Sequence, residues 1–156
     1  MRTVLAIDPG TATTGYAVIS LKKKSDPPAL LDYGCITTSA KLELPERLVI
    51  IAKDLQSLIA KYKPTELAVE RLYFAKNVST GIAVGQARGV VLLTGAKKKL
   101  KIAEYNPVEI KQAVTGYGQA DKQQIQPVEQ PLYQQVCPAF SYVLSSLLIL
   151  IPAHVS

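Results

Sequence analysis

The chain of 156 residues contains no tryptophan, one histidine, one methionine, two phenylalanines and two cysteines. Each scarcity narrows what it can do. Cys35 and Cys137 form no Cys-x-x-Cys and have only His154 for company, which gives poor support for structural zinc, a disulfide framework or a Cys-His nucleophile. Both thiols are expected to be ordinary and buried. Long apolar runs are also lacking: no uninterrupted one is longer than that at residues 147–151, far short of the ~20 residues that a membrane span needs. Met1-Arg2 leads straight into the strand-like Thr3-Val4-Leu5-Ala6-Ile7, with no apolar signal region or small-residue cleavage site. The expectation is a cytoplasmic protein without a membrane partner.

Positive charge is likewise missing from one part of the chain. Residues 127–156 hold no Lys or Arg and a single acid, Glu129. The net charge of +6 therefore divides into +7 over residues 1–126, from 18 basic and 11 acidic side chains, and −1 over the remainder. A basic body of this kind suits a polyanionic partner. The shift falls at Pro127, and the stretch from there on holds four of the ten prolines, as a reading-frame change or a lineage-specific ending would produce. The expected organisation is one domain over residues 1–126 and an atypical apolar tail over 127–156, which is not a second domain.

What is present is strongly patterned. Residues 2–8, 14–21 and 30–38 are rich in β-branched and apolar side chains and separated by Pro- or Gly-containing links, predicting an antiparallel meander. Leu48, Ile51, Ala52, Leu55, Leu58 and Ile59 recur at three- and four-residue steps, predicting an amphipathic helix over 45–62 that Pro64 stops. Residues 65–70 read as a buried strand ending in an acid, and 79–98 as a helix rich in small residues at Gly81, Ala83, Gly85, Ala87 and Gly89. A short strand at 102–104 follows. Asn106-Pro107 marks a helix start, and Asp121 is placed to cap another. Lys97 to Lys101 reads as a solvated helix end. The order βββ-α-β-α-β-α predicts an α/β protein, a mixed sheet with helices on its faces.

Asp8 and Glu70 each end an apolar strand, so if those strands are neighbours the carboxylates converge at one sheet edge. Such paired oxygen donors bind Mg²⁺ or Mn²⁺ and serve phosphodiester chemistry. Alternatively, Asp8 caps a turn and Glu70 pairs with Arg71, Lys76 or Arg88. Asp8-Pro9-Gly10-Thr11 followed by Gly15 is also similar to the phosphate-embracing hairpin of actin-like ATPases, although no second such hairpin is present.

Five blocks occur in order: Asp8-Pro9-Gly10 with Thr14-Gly15-Tyr16, Glu70-Arg71-Leu72-Tyr73-Phe74-Ala75-Lys76-Asn77, Gly85-Gln86-Ala87-Arg88-Gly89, Lys111-Gln112, and Gly116-Tyr117-Gly118-Gln119-Ala120-Asp121-Lys122. Together they resemble the RuvC family of Holliday junction resolvases over residues 1 to about 126. The resemblance implies an RNase H-like fold and a homodimer. It further implies Mg²⁺-dependent (or Mn²⁺-dependent) cutting of four-way junction DNA, and partnership with the RuvA-RuvB branch-migration complex. It assigns metal binding and catalysis to Asp8 and Glu70, and DNA contacts to Tyr73, Lys111 and Lys122. It matches the 81–89 stretch to the family's dimer helix.

One family feature has no counterpart. The family completes its site with an acidic pair in a C-terminal helix, whereas after Asp121 this chain offers only Glu129 and its terminal carboxylate, and His154 has no acid three residues on. A junction-binding protein with impaired catalysis is therefore a second expectation beside the nuclease, and an actin-like nucleotide binder a remote third.

Overall fold

The computed structural model describes residues 2–22, 29–71 and 78–105. Strands β1 (Arg2–Asp8), β2 (Thr13–Leu21) and β3 (Ala29–Thr37) come first, followed by helix α1 (Leu44–Tyr62), β4 (Glu66–Glu70), helix α2 (Val78–Lys97) and β5 (Lys101–Tyr105). The predicted meander is present, since β1 pairs antiparallel with β2 and β2 with β3. On the other side of β1, β4 and then β5 add in parallel, giving the order β3-β2-β1-β4-β5. The helices predicted after Asn106 and Asp121, the tail, Cys137 and His154 lie outside the described residues.

Strand side chains alternate between faces, and this fixes the core. Leu5 and Ile7 of β1 and Leu67 and Val69 of β4 point to one face. There they join Ile51, Leu55 and Ile59 of α1 and Ala87 and Val91 of α2 in one cluster. Val4, Ala6, Ala17, Ile19 and Ala68 occupy the opposite face and are at most 1% exposed. Burial on both faces explains why β1 and β4 read as continuous apolar runs rather than as alternating ones.

The helix ends follow local chemistry. At the start of α1, the Glu43 amide donates to the Glu46 carboxylate at 3.0 Å, with Pro45 in the first turn. The helix stops at Lys63, a left-handed residue whose amide reaches the Ile59 carbonyl at 2.9 Å, just before Pro64. Lys97, Lys98, Lys99 and Lys101 are exposed, as a solvated helix end requires.

The close approach of α2 to the sheet occurs at Gly95, where a Cβ would lie 2.5 Å from Leu67 Cδ2, whereas Gly89 has nothing within 4 Å. The reason is rotational position on the helix: Gly95 is on the inward side and Gly89 on the outward one. Cys35 is half-buried rather than buried, because it stands on β3, at the sheet edge among the described residues, beside a cavity of about 280 Å³ lined also by Tyr16, Asp54 and Lys61. Among the described residues, no helix is long and apolar enough to cross a membrane.

Candidate active site

The β1–β4 register ends with Ile7 opposite Val69, so the next residues on each strand, Asp8 and Glu70, stand side by side on one face. Both are half-buried. They mark the carboxyl ends of two adjacent parallel strands, the edge at which α/β sheets commonly hold ligands. Across the other ladder Asp8 faces Gly15, which has no side chain to crowd the carboxylate, and Glu70 faces Tyr105.

The turn after Asp8 is closely built. A Cβ on Gly10 would meet the Thr13 carbonyl oxygen at 2.3 Å, a backbone atom that cannot move aside, so the turn admits only glycine. Fully buried Thr14 closes it, its hydroxyl donating to the Gly10 carbonyl at 2.6 Å and accepting from the Gly10 amide at 3.3 Å. From beyond β3, the Thr38 amide donates to the Ala12 carbonyl at 3.0 Å and the Thr38 hydroxyl to the Thr11 carbonyl. Arg47 of α1 in turn donates from Nε to Thr38 Oγ1 at 2.8 Å. The loop next to Asp8 is thus tied to β3 and to α1, through two residues that carry no local sequence signal.

The tip of β4 is held as well. The Arg71 amide donates to the Tyr105 carbonyl at 2.8 Å, extending the ladder one residue beyond Glu70. Arg88 of α2 donates from Nε to the Glu70 carbonyl oxygen at 3.3 Å and pairs through Nη2 with the Glu104 carboxylate. Farther along the carboxylate face, Arg2 forms a two-pronged pair with Glu66, which raises the Arg2 pKa through that hydrogen bond. Burial pushes the Tyr105 hydroxyl above its ordinary value, with Arg2 opposing and Glu66 adding.

The donor set is two carboxylates, which are hard oxygen ligands of the kind that Mg²⁺ and Mn²⁺ prefer. Among the described residues no group of three or more His, Cys, Asp or Glu could hold a metal ion, so Asp8 and Glu70 are a pair without a described third member. The structure brings these two predicted residues together. Tyr73, Lys111 and Lys122 lie outside the described residues.

Comparison with known proteins sets this geometry in context. The family model described as "Crossover junction endodeoxyribonuclease RuvC" matches residues 4–136. The RuvC of Petrotoga mobilis is 56% identical over 123 residues, covering 79% of this chain and 74% of that one. The RuvC of Syntrophomonas wolfei is 43% identical over 161 aligned positions, covering 93% of this chain and 92% of that one. Among solved structures, T. thermophilus RuvC in complex with Holliday junction substrate superposes with a TM-score of 0.79 over 98% of this chain and 96% of that one, at 22% identity. The shared fold is the RNase H-like mixed sheet with its flanking helices.

Proposed function

The chain belongs to the RuvC family of crossover junction endodeoxyribonucleases, and from that premise we propose that it resolves four-way DNA junctions by hydrolysing phosphodiester bonds. The observation that carries this reading is the adjacency of Asp8 and Glu70 at the carboxyl ends of β1 and β4. In it, residues 1–126 form the nuclease body and 127–156 an appended tail, and the protein acts in the cytoplasm with the RuvA-RuvB complex.

Asp8 and Glu70 hold Mg²⁺, or Mn²⁺ in its place. When bound, the metal supplies a polarised water and offsets charge on the phosphodiester. The chain's own residues do the positioning. Thr14, Thr38 and Arg47 fix the turn beside Asp8, so that carboxylate is held in place before DNA arrives. Lys111 and Lys122 anchor the phosphate, and Tyr73 stacks on a base at the junction, a contact of about 1–3 kcal/mol. The net +7 of residues 1–126 draws the DNA in.

The homodimer is formed through α2. Ile82, Gln86, Gly89 and Leu93, at helical spacing, are all exposed, and Ile82 and Leu93 are each 55% exposed. They make an uncharged stripe, apolar at Ile82 and Leu93 with a glycine gap between them, a surface into which a second helix fits closely.

A second reading, junction binding without cleavage, is favoured by the absence of an acidic pair from residues 127–156. One experiment separates the two. Purified protein is incubated with a labelled four-way junction and Mg²⁺ or Mn²⁺, beside a linear duplex. Paired nicks that Asp8→Asn and Glu70→Gln abolish, with junction binding retained, support the nuclease. Salt-sensitive, junction-selective binding without nicks supports the binding protein, and indifference to branching overturns both.

A further inference from the structure

Arg88 lies in a motif that the proposed chemistry leaves without a role, yet it reaches the strand that carries Glu70. Its approach depends on how α2 sits. Ala87 is fully buried, Val91 is 1% exposed, and Gly95 lets the helix ride against Leu67. That shallow contact brings the guanidinium to the ends of β4 and β5 together. Nε donates to the Glu70 carbonyl at 3.3 Å while Nη2 pairs with Glu104, and the Arg88 side chain is 18% exposed.

Strand parity gives this contact its meaning. Glu104 is the register partner of Val69, so its side chain is on the helix-covered face. The side chain of Glu70, one residue on, is on the other face with Asp8 and Tyr105. Arg88 therefore grips the Glu70 main chain from behind the sheet while the carboxylate faces forward. The ion pair with Glu104 keeps the cation on the rear face, away from the carboxylates where it would compete with a divalent ion. With the Arg71 amide fixed to the Tyr105 carbonyl, the backbone at Glu70 is held on two sides.

We infer that Arg88 is a positioning residue for the Glu70 carboxylate, setting how well the Asp8–Glu70 pair binds a divalent cation. This rests on the metal-dependent reading above. Planarity matters, since a guanidinium can bond two oxygens in different directions, whereas an ammonium is a point charge. Outer partners of metal ligands commonly shift affinity by about ten- to a hundredfold.

The test uses the full chain and Mn²⁺ binding, read from the electron paramagnetic resonance signal of free Mn²⁺, with circular dichroism and thermal melting as readouts of folding. Arg88→Ala is expected to weaken Mn²⁺ binding by about ten- to a hundredfold. Arg88→Lys and Glu104→Gln are expected to weaken it less and in the same direction, while metal-free junction binding stays unchanged. Junction cleavage by Arg88→Lys should be lowered at limiting Mn²⁺ and restored at saturation. If Arg88→Ala fails to fold, the Lys and Gln variants decide. A folded Arg88 variant with wild-type Mn²⁺ affinity overturns the role of Arg88 alone, whereas a wild-type chain that binds no Mn²⁺ overturns the metal reading itself.

Discussion

Ser20 and Thr14 are both hydroxyls buried on β2, at 3% and 0% exposure, and they have opposite fates. Thr14 bonds to the Gly10 carbonyl and amide and shapes the turn beside Asp8. Ser20, opposite Thr3 in the ladder, has no hydrogen-bond partner for its Oγ among the described residues. An unsatisfied buried hydroxyl costs about 1–3 kcal/mol of desolvation and returns nothing. Ser20→Ala is therefore expected to stabilise the fold by about 1 kcal/mol, less whatever packing the lost oxygen supplied. Calorimetry checks this directly, and an unchanged or lower Tm contradicts it. At this scale the sequence was readable only where a residue's constraint is local. Gly10 and Thr14 stand out within one turn. Thr38, Arg47 and Glu104 do not, because their roles depend on partners 9 to 27 residues away.

Elements were the most legible level. A period of 3.6 predicted α1, and β-branched, apolar content between turn links predicted the three meander strands, each to within a residue or so of where it lies. The pairing of β4 with β1, which brings Asp8 to Glu70, was not fixed by pattern. Apolar runs say that a strand is buried but not beside which neighbour. The end of α2 shows a smaller misfit between residue and backbone. Lys99 is left-handed at φ 58, with its amide on the Ala96 carbonyl at 2.9 Å and the Leu100 amide on the Gly95 carbonyl at 3.0 Å, a Schellman closure that glycine normally makes. Lys99→Gly removes about 1 kcal/mol of conformational strain, against which the added freedom of the unfolded chain counts. A rise of the urea midpoint without a change in slope is the expected result, and a fall would show that the lysine side chain contributes more than its backbone costs.

For the molecule as a whole, the charge division and the α2 stripe are complementary. In the proposed dimer the basic body is left for DNA, while Ile82 and Leu93, both exposed in the single chain, would offer an uncharged face to a second copy. Ile82→Glu combined with Leu93→Glu places like charges across that face and is expected to give a monomer by sedimentation that is still folded by circular dichroism, because both side chains are solvent-facing in the single chain. A stable dimer in the double variant would remove α2 from the interface. Paired nicking of opposed strands should fail in the monomer even where single nicks persist.

The sheet order has one more consequence, in time rather than in space. Among the described residues β1 and β4 are interior strands, each hydrogen-bonded on both sides, while β3 and β5 occupy the edges. Local openings begin where few neighbours must be broken, so the edges exchange their amide protons first and the interior strands only on global unfolding. Asp8 and Glu70 are thus expected to be mounted on the slowest-exchanging strands of the described sheet. Their spacing is therefore expected to persist while the edge strands open locally.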